Sequence, residues 1–201
     1  VPTKSFEYRP VFGRFLTCAI AAVCLTGLIG LAITGSPVDL LRTVWLLALF
    51  TFVTYALFWR PKIVVSDHIT VVNVFQTVVV EWPQIERIDT RFSLTLYTKE
   101  RRISVWAAPS PGVRGSLAIE RSDVANLNES AYGPGRSVRP GDSVSTASGQ
   151  VAFVIRQRWE ELRDADEIDF AIVGSPLVVT HWGTVATLSA LLLASTLGIL
   201  L

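Results

Sequence analysis

The sequence predicts a membrane α + β protein: an N-terminal transmembrane helical hairpin, an antiparallel β domain closed by one amphipathic helix, and a C-terminal transmembrane helix. Three observations carry this. Uncharged apolar runs stand at 15–33, 43–59 and 182–201. Between them, residues 63–107 alternate apolar with polar at period two, the mark of half-buried strands. One apolar stripe at helical spacing then runs from Val151 to Leu162. Half the residues are apolar and only 17% are charged, too lean in charge for an ordinary soluble chain.

Residues 1–14 form a short N-terminus carrying Lys4, Arg9 and Arg14. The hairpin follows over 15–59. Its first span, Phe15–Ile33, is roughly 28 Å long as a helix, close to the hydrocarbon thickness of a bilayer. A signal peptide is the competing reading, but the apolar run exceeds a usual signal core and no small-x-small cleavage site precedes Pro37. Thr34, Gly35, Ser36 and Pro37 break the helix. The second span, Thr43–Trp59, carries Trp45, Tyr55 and Trp59 as interfacial anchors. Gly27 and Gly30 offer a small-residue face for helix packing. Cys18 and Cys24 lie six positions apart in one span, too poorly aligned to bridge, and read as packing residues.

The third span, Trp182–Leu201, is roughly 30 Å long. Lys and Arg set the orientation. Lys4, Arg9, Arg14, Arg60 and Lys62 stand on one side, against Arg42 alone in the hairpin turn. The positive-inside rule then places the N-terminus and the central domain in the cytoplasm of a multi-pass protein in the cell membrane.

Six strands are expected between the spans, near 63–66, 69–74, 77–82, 85–90, 93–98 and 102–107. Residues 108–149 are rich in Pro, Gly and Ser and read as a flexible insertion, with a short ordered piece at Ser116–Arg121. Order returns at Ser148, an N-cap candidate. The closing helix spans 150–165, with Val151, Val154, Ile155, Trp159 and Leu162 inward. Arg156 with Glu160, and Arg158 with Glu161, read as exposed pairs. Residues 166–181 are a connector.

Two spans followed by Arg60–Asn73, the valine-rich run Thr77–Ile85 with Trp82-Pro83, and the stretches Ser93–Tyr97 and Ala107–Pro109 together resemble a bacterial PH-domain membrane protein of actinobacterial type. The resemblance covers roughly residues 55–110; it implies a PH-like β domain over 60–107 and no particular reaction. Lysine is scarce, at 4, 62 and 99 only, which fits a GC-rich bacterial genome.

No catalytic set emerges. His68 lies in a turn and His181 at a span boundary, and no Ser-His-acid order, phosphate loop or His/Cys ligand spacing appears. The acidic tail from Glu160 to Asp169 lacks calcium-loop spacing. No catalytic, cofactor-binding or metal residues are therefore assigned, and the chain is read as non-enzymatic. A net charge of +1 gives no field to recruit nucleic acid. The first PH hairpin turn, Ser66-Asp67-His68, is acidic where phosphoinositide-binding relatives are basic. Arg60 and Lys62 remain as weak contacts for anionic lipid headgroups. Tyr97 and Trp106 are the candidate partner contacts. The expected role is docking or assembly beside other integral membrane proteins, as an accessory subunit of a larger complex such as an actinobacterial respiratory supercomplex. A membrane-surface sensor of lipid or a soluble ligand is the alternative.

Overall fold

The computed structural model describes residues 5–112, 115, 117, 119–120, 123, 127–133, 135, 137–169 and 174–200. The chain divides into two compact units, one strand-rich (Val1–Arg9, Lys62–Asn73, Thr77–Val179) and one helical (Pro10–Pro61, Val74–Gln76, Thr180–Leu201).

The strand-rich unit holds two antiparallel sheets. The larger has the order β1-β2-β3-β4-β8, from Phe6–Tyr8 (β1), Lys62–Val65 (β2), Ile69–Val72 (β3), Gln76–Val80 (β4) and Leu177–Thr180 (β8). The smaller is β5-β6-β7, from Arg87–Asp89 (β5), Ser93–Tyr97 (β6) and Arg102–Pro109 (β7). Their inner faces supply a core of Ile63, Ile69, Val71, Val78, Leu94 and Leu96, all fully buried. The alternation is strict, buried then not, along β2, β3 and β6, so a one-residue slip would turn the whole inner set to solvent.

Helix α3 (Ala147–Asp164) closes this core with Val151, Ala152 and Ile155. Its start differs from the expectation. The N-cap is Thr146, whose hydroxyl accepts from the Gly149 amide at 3.0 Å, and Ser148 is instead buried and donates to the Gly141 carbonyl at 2.8 Å. It ends at Asp164, and two residues on Asp166 takes φ 56, while the Glu167 amide reaches back to the Leu162 carbonyl at 2.9 Å. That left-handed residue after the last turn is a common helix stop.

Two strands were missed in the sequence. β1 lies inside the expected N-terminal tail and pairs with β2, Glu7 opposite Val64. β8 lies inside the expected connector. Residues 140–146, within the stretch read as a flexible insertion, carry Gly141, Asp142 and Ser143 buried. Gly141 is required there, because a Cβ would strike the Thr90 carbonyl. Of the ordered piece expected at Ser116–Arg121, residues 116, 118 and 121 lie outside the described residues.

The helical unit contains α1 (Val11–Thr34), α2 (Pro37–Thr54, continued by a π-helical turn Tyr55–Trp59) and α4 (Trp182–Leu200). All three are long and apolar enough to cross a membrane. Ser36 caps α2 by accepting from the Asp39 amide at 3.1 Å, and Pro37 opens the helix, a favourable pairing of cap and first-turn residue. Helix α2 packs against both α1 and α4. The close approaches are not at Gly27 and Gly30, which meet nothing within 4 Å of a would-be Cβ. They are at Gly13, where a Cβ would strike the Phe58 carbonyl, and at Gly198, where a Cβ would come within 3.3 Å of the Arg42 carbonyl oxygen.

Candidate functional site

Both expected headgroup cations already have protein partners. Arg60 closes the π-helical turn, its amide donating to the Tyr55 carbonyl at 3.1 Å, and its guanidinium donates to the Thr184 hydroxyl at the start of α4. Lys62 lies 3.5 Å from the Glu7 carboxylate, which Arg9 also grips. That carboxylate belongs to β1, so the Lys62 charge reinforces the β1–β2 pairing. The His181 amide donates to the Phe75 carbonyl at 2.8 Å, and its ring Nδ1 lies 3.4 Å from the Val74 carbonyl oxygen.

The expected partner contacts both lie on the β5-β6-β7 sheet, opposite its buried face. Tyr97 stands across from Arg87 on β5 and Arg102 on β7. The Arg87 guanidinium covers its ring at 4.1 Å, a cation–π contact worth about 0.5–1 kcal/mol at an exposed site. Trp106 is 54% exposed. Its backbone amide donates to the Asn73 side chain at 2.9 Å, and the Asn73 amide donates to the Ser104 carbonyl at 2.8 Å. Asn73 thus imitates a neighbouring strand along β7. Asn73→Ala should cost about 1 kcal/mol and speed hydrogen exchange at the Trp106 amide several-fold; unchanged exchange there would contradict the bridging role.

Sequence reasoning overlooked Phe92, 85% exposed in the turn between β5 and β6. The signal was available, since an aromatic in a hairpin turn between Thr90 and Ser93 has no core to enter. It also overlooked the buried ion pair Arg156–Asp142, 2.7 Å apart. Asp142 accepts a second bond from the Thr90 hydroxyl at 2.7 Å. Arg156 is therefore not the exposed partner of Glu160. It lies one turn after Ala152 on the inward face, and Glu160 accepts from the Ser130 amide and hydroxyl instead. The Arg158–Glu161 pair does form, at 3.4 Å.

Beside this pair a small pocket of about 130 Å³ is lined by Ile85, Glu86, Arg87, Ile88, Ser130 and Trp159. Among the described residues no group of three His, Cys, Asp or Glu is placed to hold a metal. At one rim of β5, Asp89 binds Arg139. Burial pushes the Asp89 carboxyl up, but the Arg91 amide and the charges of Arg139 and Arg87 outweigh it, and the net shift is downward. For Glu7 the hydrogen bond from Arg9 leads, and its pKa is also lowered. A lowered folded-state pKa stabilises above the ordinary carboxylate value and loses that contribution as pH falls below about 4. Asp89→Asn should therefore lower the melting temperature at pH 6 and make little difference at pH 3. An equal effect at both values would contradict the charge argument.

No protein-family model matches the chain, no curated protein does, and no solved structure does.

Proposed function

We propose that this chain is a multi-pass membrane protein whose PH-like strand unit serves, on the cytoplasmic side, as a docking platform within a larger membrane complex. The observation that carries the docking role is the outward aromatic surface of the β5-β6-β7 hairpins, Trp106 and Phe92. Large exposed aromatics are the residues that anchor protein interfaces. The interior charge of the unit is already spent on itself, in the Arg156–Asp142 pair.

Strand pairing supports the topology. β1 pairs with β2, so the chain enters and leaves the α1–α2 hairpin from neighbouring strands. β8 neighbours β4 in the same sheet and leads through His181 into α4. Each long apolar helix is thus joined in the chain to a strand of that sheet: α1 follows β1, the α2 segment precedes β2, and α4 follows β8. The Arg and Lys that flank these junctions, against Arg42 alone in the α1–α2 turn, make the strand-joined ends cytoplasmic.

The test is recovery of a partner. Full-length chain purified from native membranes in mild detergent should carry a stoichiometric integral membrane complex, with respiratory assemblies the first to be searched. Trp106→Ala together with Phe92→Ser should release it while leaving the spans inserted. A chain that migrates alone at native abundance, with no neighbour captured by a photocrosslinker at position 106 in intact membranes, would end the docking reading.

A further inference from the structure

A groove of about 620 Å³ runs along the helical unit. On α1 it follows Thr17, Ala21, Cys24 and Leu28, and on α2 it follows Val44, Ala48, Thr51 and Tyr55, with Leu191 of α4 at its side. These positions recur every three or four residues, so each helix presents one continuous stripe. The wall is apolar in practice. The Thr17 and Thr51 hydroxyls donate to the Gly13 and Leu47 carbonyls of their own helices, each at 2.8 Å.

One end of the stripe is charged. Arg14 lies one turn before Thr17 on the same face of α1. Its guanidinium stands 5.8 Å from the centre of the Trp59 ring, and its Nε is buried with no hydrogen-bond partner among the described residues. A half-buried cation one helical turn beyond an apolar groove suits an anion attached to a hydrocarbon. The dimensions agree. From Thr17 to Leu28 the groove is about 16 Å deep at the helical rise, half of a hydrocarbon core of about 30 Å, and so one leaflet. Its volume falls in the ~300–1,000 Å³ range of small-molecule sites.

We infer that the groove between α1 and α2 holds one acyl chain of a phospholipid whose phosphate is bound by Arg14. The partly exposed Arg14 guanidinium matches the charge of a phosphodiester, which would lie at the depth where Trp59 anchors the interface. The inference rests on reading the three helices as spans and is independent of the docking reading.

The test uses full-length protein in mild detergent, titrated with phosphatidylglycerol or with diacylglycerol of identical acyl chains and followed by native mass spectrometry. Wild type should bind phosphatidylglycerol at least tenfold more tightly, the usual scale of a charge-assisted hydrogen bond. Arg14→Gln should erase that preference and Arg14→Lys should keep most of it. Ala48→Phe, and separately Ala21→Leu, should weaken both lipids by filling the groove. Circular dichroism confirms that each variant retains its helices, and only such variants are scored. Equal binding of the two lipids by wild type, or an intact preference in Arg14→Gln, would overturn the site. So would a photocrosslinker at Ala48 that labels a protein helix instead of lipid. Wild type that is extracted from membranes by carbonate would instead overturn the span reading; insertion without lipid preference overturns the groove alone.

Discussion

Asp142→Ala is expected to destabilise the strand-rich unit by about 3–5 kcal/mol, the usual consequence of removing one member of a buried ion pair. Arg156 is only 4% exposed, and the substitution leaves its guanidinium with the distant Ile88 carbonyl at 3.5 Å. The Thr90 hydroxyl loses its acceptor as well. The damage comes from a buried charge left unpaired more than from the attraction that is lost. That distinction is testable, because Asp142→Ala combined with Arg156→Met removes both charges and should recover much of the stability. Hydrogen exchange at β6, whose Leu94 and Leu96 are fully buried, reports global opening of the unit. A single-variant loss below about 1 kcal/mol would mean that water reaches Arg156 and that the pair is not buried in solution.

The same pair shows where sequence reading stops. The strands were legible because one face of each is buried, and Ile69-Thr-Val71 or Leu94-Thr-Leu96 writes that burial directly into the chain. The inward stripe of α3 was legible for the same reason. Arg156 was misplaced because its charge suggested solvent, although its spacing from Ala152 and Ile155 put it inward. Nothing local announces Asp142, which reaches Arg156 through the turn at Pro140–Asp142. β1 is three residues long, too short to show a period, and exists through its pairing with β2. β8 did carry a signal, since Leu177-Val178-Val179-Thr180 is a β-branched run. The three long apolar helices were legible from length and apolarity alone. Their contacts were not, because a glycine spacing such as Gly27 and Gly30 says that close approach is allowed, while Gly13 and Gly198 are where another backbone arrives. Of the candidate site, Trp106 was legible as an outward position in an alternating strand. The partnership of Asn73 with β7 was not, because it joins residues more than thirty positions apart in the chain.

Ala22→Arg should make insertion of α1 about a hundredfold less favourable, the equivalent of about 2.5–3.5 kcal/mol for an arginine at the centre of a bilayer. Ala22 lies at the middle of Val11–Thr34. It shares a face with Thr26, Ile29 and Ile33, all exposed. No carboxylate on that face is offered to the new guanidinium; its one hydroxyl, that of Thr26, donates to the Ala22 carbonyl at 2.9 Å and leaves only a neutral acceptor. The strand-rich core draws none of its buried residues from α1, so that core should stay folded while insertion suffers. The substitution tests the span in an insertion assay with glycosylation reporters, and Ala22→Phe separates lipid from partner. Phenylalanine is welcome in hydrocarbon but too large for a close helix interface, so it should leave insertion intact. If it also releases the co-purifying complex, this face of α1 is where the partner docks. If it leaves the complex in place, α1 faces lipid here and docking runs through Trp106 and Phe92 alone. An unchanged insertion equilibrium for Ala22→Arg would mean that Val11–Thr34 does not cross the bilayer, since a spanning helix cannot hide an arginine at its midpoint without cost.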